Sequence, residues 1–168
     1  MDKTSANLNI ENRNLNELIE LILKRLRPIA KQRNIDVLYE SAREVFAEID
    51  EVKLTLAISN LVENAIKYNK EYGYVKVSLD ADHQFATIMV EDNGIGIPLA
   101  AQRIVFDKFE RVVTRNEDAK KKVSGFGLGL NYVMNVAREH GGYVSVESVE
   151  GKYSEFTVSL PLPVENEE

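Results

Sequence analysis

The sequence contains no cysteine, so disulfide bonds and thiolate metal sites are both excluded. Histidine is almost as scarce: His83 and His140 are the only two, which excludes a metal site built from several histidines. Any bound metal must therefore take oxygen ligands. No apolar run approaches the roughly 20 residues that cross a bilayer, and no signal peptide is visible. We expect a cytosolic domain, with any membrane anchor of a parent protein lying outside this sequence.

Positive charge is also in short supply, because 21 lysines and arginines face 27 acidic residues and the formal net charge is −6. A broad nucleic-acid-binding surface is therefore not expected. Hydrophobic residues, by contrast, make up 44% of the 168-residue chain. That share is ordinary for one globular domain with a sizeable core.

Three helices are predicted from apolar periodicity. Residues 1–12 are polar and aperiodic, which predicts a linker, but from Leu15 to Leu26 apolar residues recur at spacings of three and four. Pro28 is expected to kink this helix or end its first part. Asp50 is the predicted N-cap of a helix over 51–69. A third helix is predicted over 128–140, with Gly141-Gly142 as its stop signal.

Strands are predicted mainly in pairs. Residues 35–40 and 43–49 are rich in β-branched and aromatic residues and predict one strand pair. Residues 74–80 and 85–91 predict a hairpin, and 143–149 with 154–160 predict a last hairpin. Helices between strand pairs indicate an α/β fold with a mixed, mostly antiparallel sheet covered on one face by helices.

The helix predicted over 51–69 carries a polar stripe opposite its apolar face. Asn60, Asn64 and Lys67 stand at i, i+4 and i+7 and therefore on one side of the helix. Two amide oxygens can ligate Mg²⁺, and a lysine one turn further on can contact a phosphate. An ordinary solvated helix face is the alternative explanation of this stripe.

Two glycine-rich stretches suggest a bound nucleotide. In "EDNGIGIP" (91–98), the carboxylate of Asp92 stands next to apolar residues and can accept a hydrogen bond from the amino group of a flat ring such as adenine. In "GFGLGLNYV" (125–133), three alternating glycines lead into a helix and can cradle phosphates. The alternative for each stretch is a turn that binds no ligand.

The stretch from about 98 to 124 is long and weakly patterned, with a short helical piece over 100–109, and such a loop is more often a functional lid than a connection. Its basic residues can meet a polyphosphate, although the lysines at 120–122 are more simply explained as a solvated run. Arg111 is the better candidate, since it follows Phe106 and Phe109. Neither histidine has a catalytic context: His83 lies in a predicted turn and His140 at a helix end.

Taken together, four segments resemble, in order and spacing, the N, G1, F and G2 boxes of sensor histidine kinases. They are "NLVENAIKY" (60–68), "EDNGIGIP" (91–98), "VFDKFERV" (105–112) and "GFGLGLNYV" (125–133). The chain is similar to the catalytic ATP-binding domain of these kinases, in the superfamily shared with gyrase, MutL and a heat-shock chaperone. The resemblance implies a two-layer α/β sandwich of the Bergerat type over 9–164, between a linker at 1–8 and a tail at 165–168.

The resemblance also implies individual roles. Asn64, supported by Asn60, would ligate Mg²⁺, and with Lys67 these residues would serve the chemistry. Asp92 would bind the adenine amino group. The remaining nucleotide contacts would come from Tyr68, Gly94, Gly96, Ile97, Phe106, Lys108, Arg111, Gly125, Phe126, Gly127, Leu128, Gly129 and Leu130.

Three positions depart from the family pattern. Phe126 stands where a small hydroxyl residue is frequent, and Tyr153 where a second glycine is usual. Asn60 stands where the ATP-hydrolysing relatives carry a glutamate that activates water. An amide cannot act as a base in the useful pH range, which favours phosphoryl transfer to another acceptor over hydrolysis.

The implied reaction is transfer of the γ-phosphoryl group of MgATP to a histidine on a separate helical hairpin, the phosphoacceptor domain of the full-length kinase. A response regulator would act downstream, and no nucleic acid is expected as a partner. The fragment is expected to be monomeric, and its parent a homodimeric sensor of the inner membrane. The alternatives are an anti-sigma-type serine kinase and a nucleotide-binding regulatory module without transfer activity.

Overall fold

The computed structural model describes residues 8–102 and 129–163. Its helices are α1 (Leu15–Gln32), α2 (Glu51–Lys67), the short α3 (Leu99–Gln102) and α4 (129–139). Strands β1 (Ile10–Asn14) and β3 (Phe46–Asp50) form a two-stranded antiparallel sheet. The five other strands are β2 (Asp36–Ser41), β4 (Tyr74–Ala81), β5 (Phe85–Asp92), β6 (Tyr143–Val149) and β7 (Tyr153–Pro161), in the sheet order β2-β4-β5-β7-β6.

The five-stranded sheet is mixed and mostly antiparallel, as predicted. β2 and β4 pair in parallel, and the other three neighbouring pairs are antiparallel. Every second residue is buried along β5 and along β4 as far as Leu79, because alternate side chains of a strand point to opposite faces. These inward residues share one core with the apolar faces of α1, α2 and α4. The predicted two-layer α/β fold is confirmed.

Side-chain N-caps start both long helices, and the sequence predicts the second of them. The side chain of Asn14 accepts hydrogen bonds from the N–H groups of Asn16 and Glu17 at the start of α1. The carboxylate of Asp50 accepts one from the N–H of Lys53 and so caps α2, as predicted. The apolar face of α2, opposite the polar stripe, is buried and consists of Leu54, Ala57, Ile58, Leu61, Val62, Ala65 and Ile66. The helix ends at Lys67, two residues before the predicted end.

Two predictions about the first third of the chain are wrong. Residues 10–12 are not a linker, because β1 pairs with β3 over five positions. Strands β2 and β3 do not pair with each other either, since β2 pairs with β4 and β3 with β1. Both errors concern which strands meet, and that is decided by the packing of the whole domain and not by local composition.

Helix α1 continues through Pro28 to Gln32, so of the two predicted effects of Pro28, a kink or an end of the first part, the end is excluded. Proline removes the hydrogen bond to the carbonyl four residues earlier, at Lys24. Both residues lie on the exposed side of α1, where water can satisfy that carbonyl.

The two predicted hairpins and the predicted stop of the third helix are confirmed. β4 and β5 form one hairpin and β6 and β7 the other. At the end of α4, the N–H of Gly142 donates to the carbonyl of Ala137 at 2.8 Å, and the N–H of Gly141 donates to that of Arg138 at 2.9 Å. The helical piece predicted over 100–109 is helical as far as Gln102, and its remainder lies outside the described residues, like the tail at 165–168. Among the described residues, no helix is long and apolar enough to cross a membrane.

Candidate functional site

The polar stripe of α2 lies beside the start of the described part of α4. Asn60 and Asn64 are half-buried, and Lys67 is exposed. A Cβ atom added to Gly129 would lie 3.6 Å from Nδ2 of Asn64 and 3.8 Å from Cβ of Asn60. Two separate sequence motifs, the asparagine stripe and the last glycine of the second glycine-rich stretch, therefore meet at one place.

Asp92 ends β5 and is 6% exposed. Its Oδ1 accepts a hydrogen bond of 2.9 Å from the N–H of Gly94. Burial raises the pKa of this carboxyl to about 7, against the lowering effect of the Gly94 N–H, and the negative charge of Glu91 raises the pKa further. The group is thus a buried acceptor whose charge changes near neutral pH.

The loop after Asp92 is held against the end of α2. A Cβ atom on Gly94 would come within 2.4 Å of the carbonyl oxygen of Tyr68, so only glycine allows this approach. The N–H of Ile95 then donates to the same carbonyl at 3.1 Å. Asp92 and the last turn of α2, which carries Lys67, are therefore neighbours.

On its other side the loop is held by the β6–β7 hairpin. The N–H of Gly151 donates to the carbonyl of Ile95 at 2.7 Å, and the N–H of Ile97 to the hydroxyl of Ser148 at 2.8 Å. Gly96 has a φ of +66°, and a Cβ there would lie 2.2 Å from the carbonyl oxygen of Val149. The glycines predicted to shape the pocket let the loop fit between α2 and the hairpin.

Four polar residues that the sequence analysis missed stabilise this arrangement. Buried Asn69 donates to the carbonyl of Tyr74 at 2.9 Å, and Oδ1 of Asn93 accepts from the N–H of Tyr74 at 2.7 Å. The amide of Gln102 donates to the carbonyls of Ile97 and Ser148, both at 2.8 Å. Asn69 lies two residues after the end of α2 and Asn93 directly after β5, and a polar residue at such an element end was a usable signal. Gln102 and Ser148 carried none.

Some predicted site residues contribute to the core. The side chains of Ile97 and Leu130 are 2% and 0% exposed, so Leu130 can contact a ligand only through its backbone. Tyr68 is half-buried, and the ammonium group of Lys67 lies 5.3 Å from the centre of its ring. The predicted residues that lie outside the described part of the chain are Phe106, Lys108, Arg111, Gly125, Phe126, Gly127 and Leu128.

Neither histidine lies at this site. His83 is in the turn between β4 and β5, at the opposite end of β5 from Asp92. His140 follows α4, where its Nδ1 bonds to the carbonyl of Val136 at 2.7 Å and its Nε2 accepts the N–H of Asp50 at 3.0 Å. Its ring therefore connects the end of α4 with the start of α2.

Chemically, the site offers two amide side chains and an ammonium group on one helix and a buried carboxyl group next to it. Amide oxygens suit a hard cation with phosphate oxygens as its other ligands, and the residues present therefore fit Mg²⁺ with a polyphosphate. The carboxyl fits the amino group of a flat, otherwise apolar ring.

Comparison with known proteins gives the family of the chain. Residues 49–164 match the family described as histidine kinase-, DNA gyrase B-, and HSP90-like ATPase. Sensor histidine kinase RppB of Synechocystis is 38% identical over 149 residues, which are 88% of this chain and 32% of RppB. Sensor histidine kinase WalK of Bacillus subtilis is 38% identical over 128 residues, 75% of this chain and 20% of WalK. The chain thus spans a third or less of these relatives.

Among solved structures, the nucleotide-free catalytic domain of histidine kinase ThkA matches with a TM-score of 0.79 at 26% identity, covering 94% of this chain and 100% of that domain. The fold, the motif order and the family match agree. The chain belongs to the family of histidine kinase-, DNA gyrase B-, and HSP90-like ATPases, and its relatives RppB and WalK within that family are sensor histidine kinases.

Proposed function

We propose that this domain binds MgATP between the polar stripe of α2, the loop after β5 and the start of α4, and that it donates the γ-phosphoryl group to a histidine of a separate helical hairpin. The observation that carries the proposal is the meeting of three motifs: Gly129 lies beside Asn60 and Asn64, and the loop that begins at Asp92 is bonded to the end of the same helix.

Asp92 would recognise the adenine. Its carboxylate can accept a hydrogen bond from the exocyclic amino group, and a charge-assisted hydrogen bond in a dry pocket is stronger than one in water. Guanine carries a carbonyl oxygen where adenine carries this amino group. Two acceptors would then face each other, so the site should prefer ATP to GTP.

The other end of the site would hold the triphosphate. The amide oxygens of Asn60 and Asn64 would ligate Mg²⁺, and the ammonium group of Lys67 would neutralise phosphate charge. Bound Mg²⁺ would supply charge neutralisation of the phosphoryl oxygens. The side chains of α2 would orient the phosphates for in-line transfer, a reaction in which positioning contributes more than a protein base.

Transfer rather than hydrolysis is favoured by Asn60, whose amide cannot activate water as a glutamate would. A histidine acceptor is favoured over a serine acceptor because the curated relatives compared above are sensor histidine kinases. By the same analogy, we propose that a response regulator receives the phosphoryl group and that the parent protein is a homodimeric membrane sensor.

Calorimetric titration with MgATP, a non-hydrolysable analogue and MgGTP tests the proposal. We expect the wild type to bind both adenine nucleotides more tightly than MgGTP. Asn64→Ala and Asp92→Asn should each weaken MgATP binding by at least about tenfold. Asp92→Asn should also remove the preference for MgATP over MgGTP. The matched controls are Asn12→Ala and Asp80→Asn, which change exposed residues of β1 and β4 and should bind like the wild type. A folded wild type without affinity for MgATP would refute the proposal.

A further inference from the structure

The last turn of α2 is held by Arg33, the residue that directly follows α1. The guanidinium group of Arg33 donates hydrogen bonds to the carbonyl of Ile66, to that of Lys67 at 2.9 Å and to that of Asn69 at 2.6 Å. The last carbonyls of a helix lack partners within the helix, and a cation at this end also interacts favourably with the helix dipole. Arg33 therefore caps α2 with three hydrogen bonds and a charge.

Arg33 is itself fixed in place by the way α1 ends. The next residue, Asn34, has a φ of 56°, and its N–H donates to the carbonyl of Lys31 at 3.0 Å. The N–H of Ile35 donates to the carbonyl of Ala30, also at 3.0 Å, and the side chain of Ile35 is buried. This pair of bonds is a Schellman motif with asparagine in the left-handed position. The half-buried guanidinium thus projects from a well-defined helix end.

The turn that Arg33 caps is also the turn on which the loop after Asp92 rests. The carbonyl of Tyr68 lies in sequence between two that Arg33 holds, and it accepts the N–H of Ile95 at 3.1 Å. Four consecutive carbonyls, those of residues 66–69, are therefore divided between Arg33 and this loop. The same turn carries the side chains of Lys67 and Tyr68.

We propose that Arg33 is a positioning residue of the nucleotide site. By fixing the last turn of α2, it sets the position of Lys67 and Tyr68 and, through the carbonyl of Tyr68, the position of the loop that presents Asp92. Arg33 acts through these residues and touches no nucleotide itself. The inference rests on the proposed function, to which it adds the C-cap residue of α1, outside all four sequence motifs.

The chemistry of the guanidinium group explains why this position uses arginine. Its five N–H donors lie in one plane and point in fixed directions, so one side chain can serve several carbonyls. A lysine keeps the positive charge at the helix end but is a single point with rotatable donors. Arg33→Lys should therefore restore only part of the function, while Arg33→Gln removes both the charge and most of the donors.

Arg25 provides a matched control. It lies within α1 and, like Arg33, bonds to α2, but its Nη2 donates to the hydroxyl of Ser59 at 2.8 Å, before the last two turns of that helix. Arg25→Gln removes an arginine from the same helix pair without touching the turn over 66–69. It should bind MgATP within about twofold of the wild type.

The experiment measures MgATP affinity by calorimetry on protein verified as folded, together with the amide resonances of Gly94 and Ile95 without nucleotide. We expect Arg33→Gln to weaken binding about tenfold and Arg33→Lys by less, with shifted resonances in both. A merely structural role would lower stability and leave the affinity of the folded protein unchanged. If Arg33→Gln does not fold, the MgATP affinity of Arg33→Lys decides whether the proposal holds.

The possible failures are distinguishable. If the wild type binds MgATP and the folded Arg33 variants bind within twofold of it, the role of Arg33 is refuted and the proposed function stands. If the wild type does not bind MgATP, both proposals fall.

Discussion

At the scale of single residues, the buried carboxyl of Asp92 has a cost for folding and a proposed use in nucleotide binding. It is 6% exposed, and no described lysine or arginine forms an ion pair with it. Burial without a cation disfavours the charged form, which is why the pKa is raised to about 7. The domain therefore keeps a destabilising carboxylate at the point where an adenine amino group would be bound.

The raised pKa of Asp92 predicts that the free energy of unfolding depends on pH. Below about pH 4 the carboxyl of Asp92 is protonated in both the folded and the unfolded chain. Between about pH 4 and 7 the unfolded chain has lost this proton and the folded chain keeps it, so the contribution of Asp92 to stability falls as the pH rises. Asp92→Asn removes this effect. Its gain in unfolding free energy over the wild type should be larger at pH 8 than at pH 5.5 by about 2 kcal/mol.

Urea unfolding of both proteins at the two pH values measures this difference, and the comparison cancels the titration of all other groups. Asp80→Asn is the control, because the side chain of Asp80 is 75% exposed on β4. An equal effect of Asp92→Asn at pH 5.5 and pH 8 would contradict the shifted pKa.

At the scale of helices and strands, the elements with a local signal were predictable. α1 and α2 have strong apolar periodicity and good N-caps, and both hairpins join neighbouring strands through short turns. β1 has no such signal, since four of its five residues are exposed. The parallel pairing of β2 with β4 was equally hidden, because a crossover through β3 and α2 separates them.

The residues of the candidate site also divide into those with a local signal in the sequence and those without one. Asn60, Asn64 and Asp92 stand in motifs whose spacing is visible in the sequence. Arg33 and Ser148 act on backbone groups of segments that are distant in sequence, through contacts formed only after folding. No local pattern marks such a residue.

Helices α2 and α4 run antiparallel, because the second half of α2 lies beside Gly129 and the start of α2 pairs with the end of α4. Gly129, the first described residue of α4, lies beside the asparagine stripe. At the other end, the ammonium group of Lys53 lies 2.8 Å from the carboxylate of Glu139, with 29% and 17% of these side chains exposed. This ion pair helps to fix α4 relative to the stripe.

A double-mutant cycle with Lys53→Gln and Glu139→Gln measures the contribution of this pair. We expect a coupling of about 1 kcal/mol in urea unfolding, because both groups are partly shielded from water. The control pair is Lys76 and Glu40, 3.1 Å apart with 34% and 67% of the side chains exposed, where we expect less than about 0.5 kcal/mol. Equal couplings for the two pairs would show that partial burial of Lys53 and Glu139 adds nothing.

At the scale of the whole molecule, the proposed donor site has no suitable acceptor histidine within the chain. Both ring nitrogens of His140 are hydrogen-bonded, so its lone pair is engaged with the N–H of Asp50. His83 lies beyond the first residue of β5, and Asp92 is the last. At about 3.4 Å per residue, the eight-residue strand separates them by roughly 24 Å.

We therefore predict that the domain binds MgATP but does not phosphorylate itself. After incubation with γ-labelled ATP, the chain should carry no acid-labile, base-stable label, because a histidine must reach the γ-phosphoryl group with a free ring nitrogen. Adding the phosphoacceptor hairpin of the parent kinase should produce such a label on the hairpin, and Asn64→Ala should abolish it. Label on this chain that disappears in the His83→Ala, His140→Ala double variant would contradict the prediction. Steady phosphate release without any acceptor would instead contradict the argument that Asn60 disfavours hydrolysis.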